Sequence, residues 1–240
     1  MADYRDPATG LPLPSWDLWE ERLGGHAWTV GATWAGLQAA ANFADCFGEE
    51  NMAGVYRGAA EEIRAGAKKH LWIEDAGHYA RMITFADEGG PADADRTIDA
   101  SIAGMWIFGM VGAAADRIAA TVGKVRDRLW VKTDIGGIAR YEGDAFNRSH
   151  WDEGIPGNPW SICTLWLAEW FLATARSRDD LGQALDLMQW VAAKALPSGV
   201  MAEQVDPYSG EPLSVSPLTW SHAALVTAVL RYRAKWAELG

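Results

Sequence analysis

Apolar residues recur along much of the chain at the three-and-four spacing of a helix that buries one side. Val30, Trp34, Leu37, Ala41 and Ala44 mark one face of a helix over residues 28–47. Met52, Val55, Ala59 and Ile63 mark a second over 51–71, with Glu61, Glu62, Arg64, Lys68 and Lys69 on its polar side. Residues 72–86 break the period, and Tyr79, Met82, Ile83 and Phe85 read as short extended pieces. Residues 88–95 form a Gly/Pro/Asp loop. Ile98, Ile102 and Met105 begin a third helix, interrupted over 109–112, and Ile118, Val122, Val125 and Leu129 mark a fourth. A helix over 160–175 is apolar nearly all round (Ile162, Leu165, Trp166, Leu167, Phe171, Leu172), which requires cover on both sides. Leu181, Leu185, Met188, Ala192 and Ala195 give a sixth, and His222, Leu225, Val229, Tyr232 and Trp236 a last. Asn158-Pro159 and Ser216-Pro217 each combine a capping side chain with a proline at a helix start. The prediction is an all-α chain of seven helices in antiparallel succession, in a single domain over 1–240.

Three loops stand out against this pattern: 7–25, 132–157 and 197–216. Loops as long as the second are usually functional or disordered, and its aromatic and charged content favours function. The chain carries 14 tryptophans. Trp34, Trp106, Trp190 and Trp236 read as core, but Trp16, Trp19, Trp151 and Trp160 fall in loop-like positions. An indole on a polar loop suits the C–H face of a sugar, and its N–H can donate a hydrogen bond.

With 240 residues and 49% apolar content the chain can build one sizeable core. Its net charge of −11 argues against nucleic acid or an anionic membrane as main partner. No apolar run approaches a membrane span and residues 1–14 hold no signal-peptide pattern, so a cytoplasmic protein is expected. Cys46 and Cys163 read as small buried hydrophobes. His26, His78, His150 and His222 show no metal spacing; neither metal nor cofactor is expected, and His222 reads as a satisfied core histidine.

The candidate chemistry rests on carboxylates. Residues 16–21, Trp-Asp-Leu-Trp-Glu-Glu, read as a loop leading into a helix. Alone, such acids are explained by the positive end of a helix. Glu203 alone is a solvated loop acid, Arg140 a surface ion pair and Asp144 a turn former. Taken together, two carboxylates, an arginine and loop indoles suggest acid–base work on a neutral polar substrate. Glycoside hydrolysis needs this set: one carboxylic acid protonates the leaving oxygen while the other carboxylate activates water or attacks the sugar. Asp17 and Glu21 would raise the pKa of Glu20 by like-charge repulsion.

Three segments resemble the glucoamylase family, glycoside hydrolase family 15. Thr9-Gly10-Leu11-Pro12 through Ser15-Trp16-Asp17-Leu18-Trp19-Glu20-Glu21 is similar to its general-acid segment. Arg140-Tyr141, then Asn158-Pro159-Trp160 through Glu169, is similar to its sugar-binding loop and following helix. Met201-Ala202-Glu203-Gln204, Gly210 and Pro217 through Ala223 are similar to its general-base segment and last helix. The resemblance implies an inverting, exo-acting α-glucosidase on an (α/α)6 six-hairpin toroid, acting on an oligosaccharide or polysaccharide. Glu20 would be the general acid and Glu203 the general base. Asp17 and Glu21 would orient sugar and acid, Arg140 would bind hydroxyls, Trp160 would stack, and Trp19 and Trp220 would line the pocket. Inversion implies carboxyl groups about 6.5–9.5 Å apart.

Two departures accompany the resemblance. Such a toroid has twelve helices against the seven counted, so an incomplete barrel is expected, associating with a missing N-terminal half or with itself. An Arg-Asp pair that the family uses at the cleavage-site sugar has no counterpart. Phe146 also stands where family members often have a tyrosine. A trehalase- or dextran-type specificity and a non-catalytic carbohydrate-binding remnant are the alternatives.

Overall fold

The computed structural model describes residues 1–151 and 154–240. Asp152 and Glu153, in the loop expected over 132–157, lie outside the described residues. Among the described residues are seven α-helices and eight short strands. Helix dominates as the periodicity predicts, with more paired strand than an all-α reading allows. The residues form two compact units, Met1–Thr97 with Ser101–Thr121, and Ile98–Ala100 with Val122–Gly240.

In the first unit, β1 (Ser15–Trp16) and β2 (Leu23–His26) pair antiparallel, and α1 (Ala27–Cys46) follows at once. Residues 16–21 therefore belong to a hairpin and do not lead into a helix. The first turn of α1 holds no acidic residue, so a helix dipole does not explain these acids. Helix α2 (Glu50–His70) lies against α1. Val30, Leu37 and Ala41 on α1 and Ala53, Ala60, Ile63 and Ala67 on α2 are buried, and the small side chains let the two backbones approach. Gly66 has a specific reason to be glycine: a Cβ there would stand 2.3 Å from the Thr9 carbonyl oxygen. Its absence lets the segment before the hairpin lie on α2, with Leu11 fully buried.

The extended pieces expected over 72–86 are β3 (Trp72–Ile73), β4 (His78–Tyr79) and β5 (Met82–Phe85). The loop expected over 88–95 is half strand: β6 (Pro91–Asp95) pairs with β5, completing a sheet of order β1-β2-β5-β6. Gly89 and Gly90, both at positive φ, turn the chain, and Asp95 is tied to Arg81 at 2.6 Å. The third helix is shorter than its pattern suggests, a 3-10 turn over Ala100–Ala103 and the four residues of α3 (Gly104–Ile107). Helix α4 (Asp116–Leu129) lies where expected, its residues divided between the two units.

The second unit is built on α5 (Ser161–Thr174), buried from Ser161 through Glu169 as its all-round apolarity requires. It packs against α6 (Leu181–Ala193) and α7 (Thr219–Glu238), and β7 (Gln204–Val205) pairs with β8 (Pro212–Leu213) between those two helices in sequence. Neither expected cap is present. Helix α5 starts after Trp160 and α7 after Leu218, without side-chain capping bonds. The Asn158 amide is instead used across the loops, donating to the Asn147 carbonyl at 2.9 Å and to Gln204 Oε1 at 2.7 Å. The stripe expected on α7 is partly uncovered: His222, Leu225 and Tyr232 are half-buried but Val229 and Trp236 are exposed, as are Val226 and Leu230 beside the stripe. Trp236, expected in the core, stacks on Tyr232 at 6.0 Å beneath Arg178. Cys163 is buried as expected, and burial pushes its thiol pKa up; Cys46 is exposed, against expectation. Among the described residues, no helix is long and apolar enough to cross a membrane, and no His, Cys, Asp and Glu cluster could hold a metal ion.

Candidate active-site residues

Asp17, Trp19, Glu20 and Glu21 share the hairpin of the first unit. The Asp17 N–H donates to the Arg22 carbonyl at 2.9 Å and closes the loop. Asp17 Oδ1 accepts from the Glu21 N–H at 2.7 Å and from the Arg22 N–H at 3.3 Å, so this carboxylate is the loop's internal brace. Arg22 reaches Glu21 at 2.7 Å and Asp17 at 3.7 Å. His26 Nε2–H donates to the Arg22 carbonyl at 3.0 Å; burial lowers the pKa of that ring, against the pull of Asp17. Trp19 is buried, whereas Glu20 points outward. Glu20 has φ +59°, a left-handed conformation that a side chain with a Cβ adopts only at a cost of about 1–2 kcal/mol. The surrounding hydrogen bonds impose it, and backbone strain of this sort clusters at functional positions.

The second unit brings Arg140, Trp160 and Glu203 together through backbone bridges. Asp99 bridges Tyr141, Ala139 bridges Pro159, and Trp160 bridges Gln204, so four separate segments lie side by side. The Val205 N–H donates to the Pro159 carbonyl at 3.0 Å and locks the last pair. Arg140 and Asp144 are both buried, with Nε to Oδ2 at 2.8 Å and Nη2 to Oδ1 at 2.7 Å. The surface ion pair and free turn former considered from the sequence are thus one buried bidentate pair. The guanidinium stands 4.9 Å from the Trp160 ring, 4.9 Å from Phe146 and 5.1 Å from Tyr141. Gly157 allows this closeness, since a Cβ there would lie 2.8 Å from Asp144 Cβ.

Glu203 is half-buried and held at one oxygen. Oε2 accepts from the Ser214 hydroxyl at 2.5 Å and from Gln204 Nε2 at 3.3 Å. Asn147 Nδ2 donates to Ser214 Oγ at 3.0 Å at the surface, and Gln204 is held in turn by Asn158 in the interior, so both supports are themselves supported. The hairpin carrying Glu203 is closed by Asp206, whose Oδ1 accepts from the Ser209 N–H at 2.8 Å and the Tyr208 N–H at 3.0 Å. Burial raises the Asp206 pKa, but these amides and the Ser149 and Ser209 hydroxyls outweigh it and bring it down to about 2. Trp220, in the first turn of α7, meets Trp166 of α5 edge-on at 5.8 Å. The sequence marks Asn147 only as part of a loop and Ser214 not at all. A serine eleven positions beyond an acid carries no local signal; only the turn at 206–210 brings it back.

Chemically, the second unit offers a carboxylate held by two donors and, on bridged neighbouring segments, a buried arginine with aromatic walls. The first offers a carboxylate on a strained hairpin. These are the parts from which sugar-processing sites are made. The sequence matches the family described as Glycosyl hydrolases family 15 over residues 11–230, and the chain belongs to that family. It is 30% identical over 226 residues to an uncharacterized glycosyl hydrolase of Methanocaldococcus jannaschii, covering 90% of this chain and 34% of that one. It is 26% identical over 232 residues to a trehalase of Mycobacterium tuberculosis, covering 95% and 30%. A bacterial glucoamylase complexed with acarbose shares the fold at TM-score 0.75 and 24% identity, over 90% of this chain and 35% of that one. The chain thus spans about a third of the length of the curated relatives it matches.

Proposed function

We propose that this chain takes part in hydrolysing α-glucosidic bonds in α-glucans or oligosaccharides, exo-acting and with inversion, in the manner of a glucoamylase. Glu203 is the general base that draws a proton from water, and Glu20 the general acid that protonates the leaving oxygen. Arg140 binds sugar hydroxyls and Trp160 stacks on the sugar, Asp17 and Glu21 orient sugar and acid, and Trp19 and Trp220 are further sugar contacts. The observation that carries this reading is the double hydrogen bond at Glu203 Oε2. Two donors on one oxygen fix the rotamer of the carboxylate, leaving Oε1 to act on water.

The architecture we infer is the (α/α)6 toroid, of which the described residues supply seven helices. The uncovered apolar residues Val226, Val229 and Leu230 of α7 support association with further helices, from a longer polypeptide or a second copy. The trehalase relative supports one alternative within the class, cleavage of trehalose.

The test is release of glucose from maltose, maltotetraose, isomaltose and trehalose, beside Glu20→Gln and Glu203→Gln. Release of β-glucose by the wild-type chain and its loss in both variants is expected. Release from trehalose alone selects the trehalase reading. Sugar binding without release from any substrate overturns the catalytic reading in favour of a carbohydrate-binding remnant.

A further inference from the structure

The side chains that hold the Glu203 carboxylate do not explain what places its main chain. That task falls to the first turn of α7. The Met201 N–H donates to His222 Nε2 at 3.0 Å. The Leu218 N–H donates to the Met201 carbonyl at 3.0 Å. The Ser221 hydroxyl donates to the Ala202 carbonyl at 3.1 Å. The Glu203 N–H then donates to the Val215 carbonyl at 3.0 Å. Met201, Ala202 and Ser221 are buried, so these backbone groups have no water to fall back on.

Two consecutive side chains of one helical turn, Ser221 and His222, thus grip the two residues immediately before Glu203. Trp220, their neighbour, turns instead to Trp166. Because Nε2 accepts, the His222 proton sits on Nδ1 and the ring is the neutral tautomer. This is a more exacting role than filling a core position: a leucine fits the apolar stripe, but only an acceptor at the Nε2 position satisfies Met201.

We propose that Ser221 and His222 are positioning residues for Glu203. They act through the main chain of Met201 and Ala202 and do not touch the sugar. The inference rests on the reading of Glu203 as general base. A displacement of about 1 Å at a reacting group costs on the order of 100-fold in rate, which sets the scale of the effect.

The experiment compares wild type, His222→Leu, His222→Gln and Ser221→Ala in steady-state hydrolysis of whichever of maltose, isomaltose and trehalose the wild type cleaves fastest. Amide hydrogen exchange at Met201 is followed in the same proteins. In His222→Leu we expect kcat to fall about 10- to 100-fold with KM within about twofold, and Met201 exchange to accelerate by about tenfold or more. His222→Gln places an amide oxygen near the Nε2 position and should restore both. Ser221→Ala should lower kcat with the same split. An unchanged kcat in His222→Leu with accelerated exchange overturns the positioning role, as does equal loss in the Leu and Gln variants. No release from the wild type fails the glycosidase reading by itself. The grip is then judged on exchange, where unchanged protection of Met201 in His222→Leu overturns it and accelerated exchange restored by Gln upholds it.

Discussion

The two candidate carboxylates are held in opposite ways. Glu203 is half-buried and its oxygen is anchored by two side chains that are themselves anchored. Glu20 is exposed, and what defines it is its backbone, forced to φ +59° by a loop braced on Asp17. One acid is positioned by a network, the other by strain. Donors at an oxygen fix the rotamer of a carboxylate and the direction it faces, whereas a fixed main chain sets only where the side chain begins.

That contrast is broken most severely on the side of the network. Removing Arg140 leaves Asp144 buried without its bidentate partner, and strips a cation from three aromatic rings. Arg140→Met should cost about 3–5 kcal/mol in urea denaturation. Arg140→Lys should recover only part of it, because an ammonium cannot make the paired bond. A loss below about 1 kcal/mol would mean that the pair behaves as a surface contact and that the wall is not built as described.

The next test acts on the chemistry. Glu20→Gln and Glu203→Gln should each reduce glucose release from maltose by about 10²–10⁴-fold, and the leaving group should separate them. With α-glucosyl fluoride, which departs with little need of a proton, Glu20→Gln should retain far more activity than Glu203→Gln. Equal losses on both substrates would remove the distinction between acid and base.

A smaller effect lies in the turn that follows Glu203. Asp206 has its folded pKa depressed to about 2. Its contribution is therefore present above the unfolded value near 4 and lost as pH falls towards 2. The shift corresponds to roughly 2 kcal/mol, an upper figure for a side chain that is 11% exposed. Wild-type stability should drop between about pH 4 and pH 2 by that amount more than the stability of Asp206→Asn. Parallel curves would show that the 206–210 turn gains nothing from its carboxylate.

How far the sequence disclosed this contrast depends on the range over which each signal acts. The helices were legible because apolar periodicity is local: α1, α2, α4 and α6 begin and end near where their stripes do. The caps were not, because Asn158 and Ser216 look like capping residues, and tertiary demand overrode that propensity. Asn158 is used by Gln204 and Asn147, far along the chain. The pairing of β6 brings Asp95 to Arg81, two residues that a reading of turn residues does not connect. The acids and aromatic residues of the candidate site were visible because chemistry restricts residue type. Their supports, Ser214, Asn147 and Ser221, are ordinary polar residues given meaning only by what the fold brings beside them. The exposed stripe on α7 shows the converse limit: periodicity marks a face to be covered, without saying what covers it.

The left-handed residues offer the finest probe. Among the described residues, non-glycine positive φ occurs at Glu20, Asn147 and Ser214, one in each loop that the sequence marked as chemically loaded. At Asn147 and Ser214 the side chains are used in the network leading to Glu203. At Glu20 the left-handed turn is set by the loop bonds around Asp17, and whether its carboxylate also requires it is open to direct test. Glu20→Gly should relieve the left-handed penalty and raise stability by up to about 1 kcal/mol, since glycine takes this conformation freely. Glu20→Gln keeps the penalty and should leave stability within about 0.5 kcal/mol of wild type. Both should lose glucose release. The pair separates two explanations that a single variant confounds. If Glu20→Gly is destabilised as much as a buried-contact mutant, the carboxylate holds the hairpin together and its conformation is structural. If it is stabilised while activity disappears, the chain carries a strained residue there for its chemistry alone.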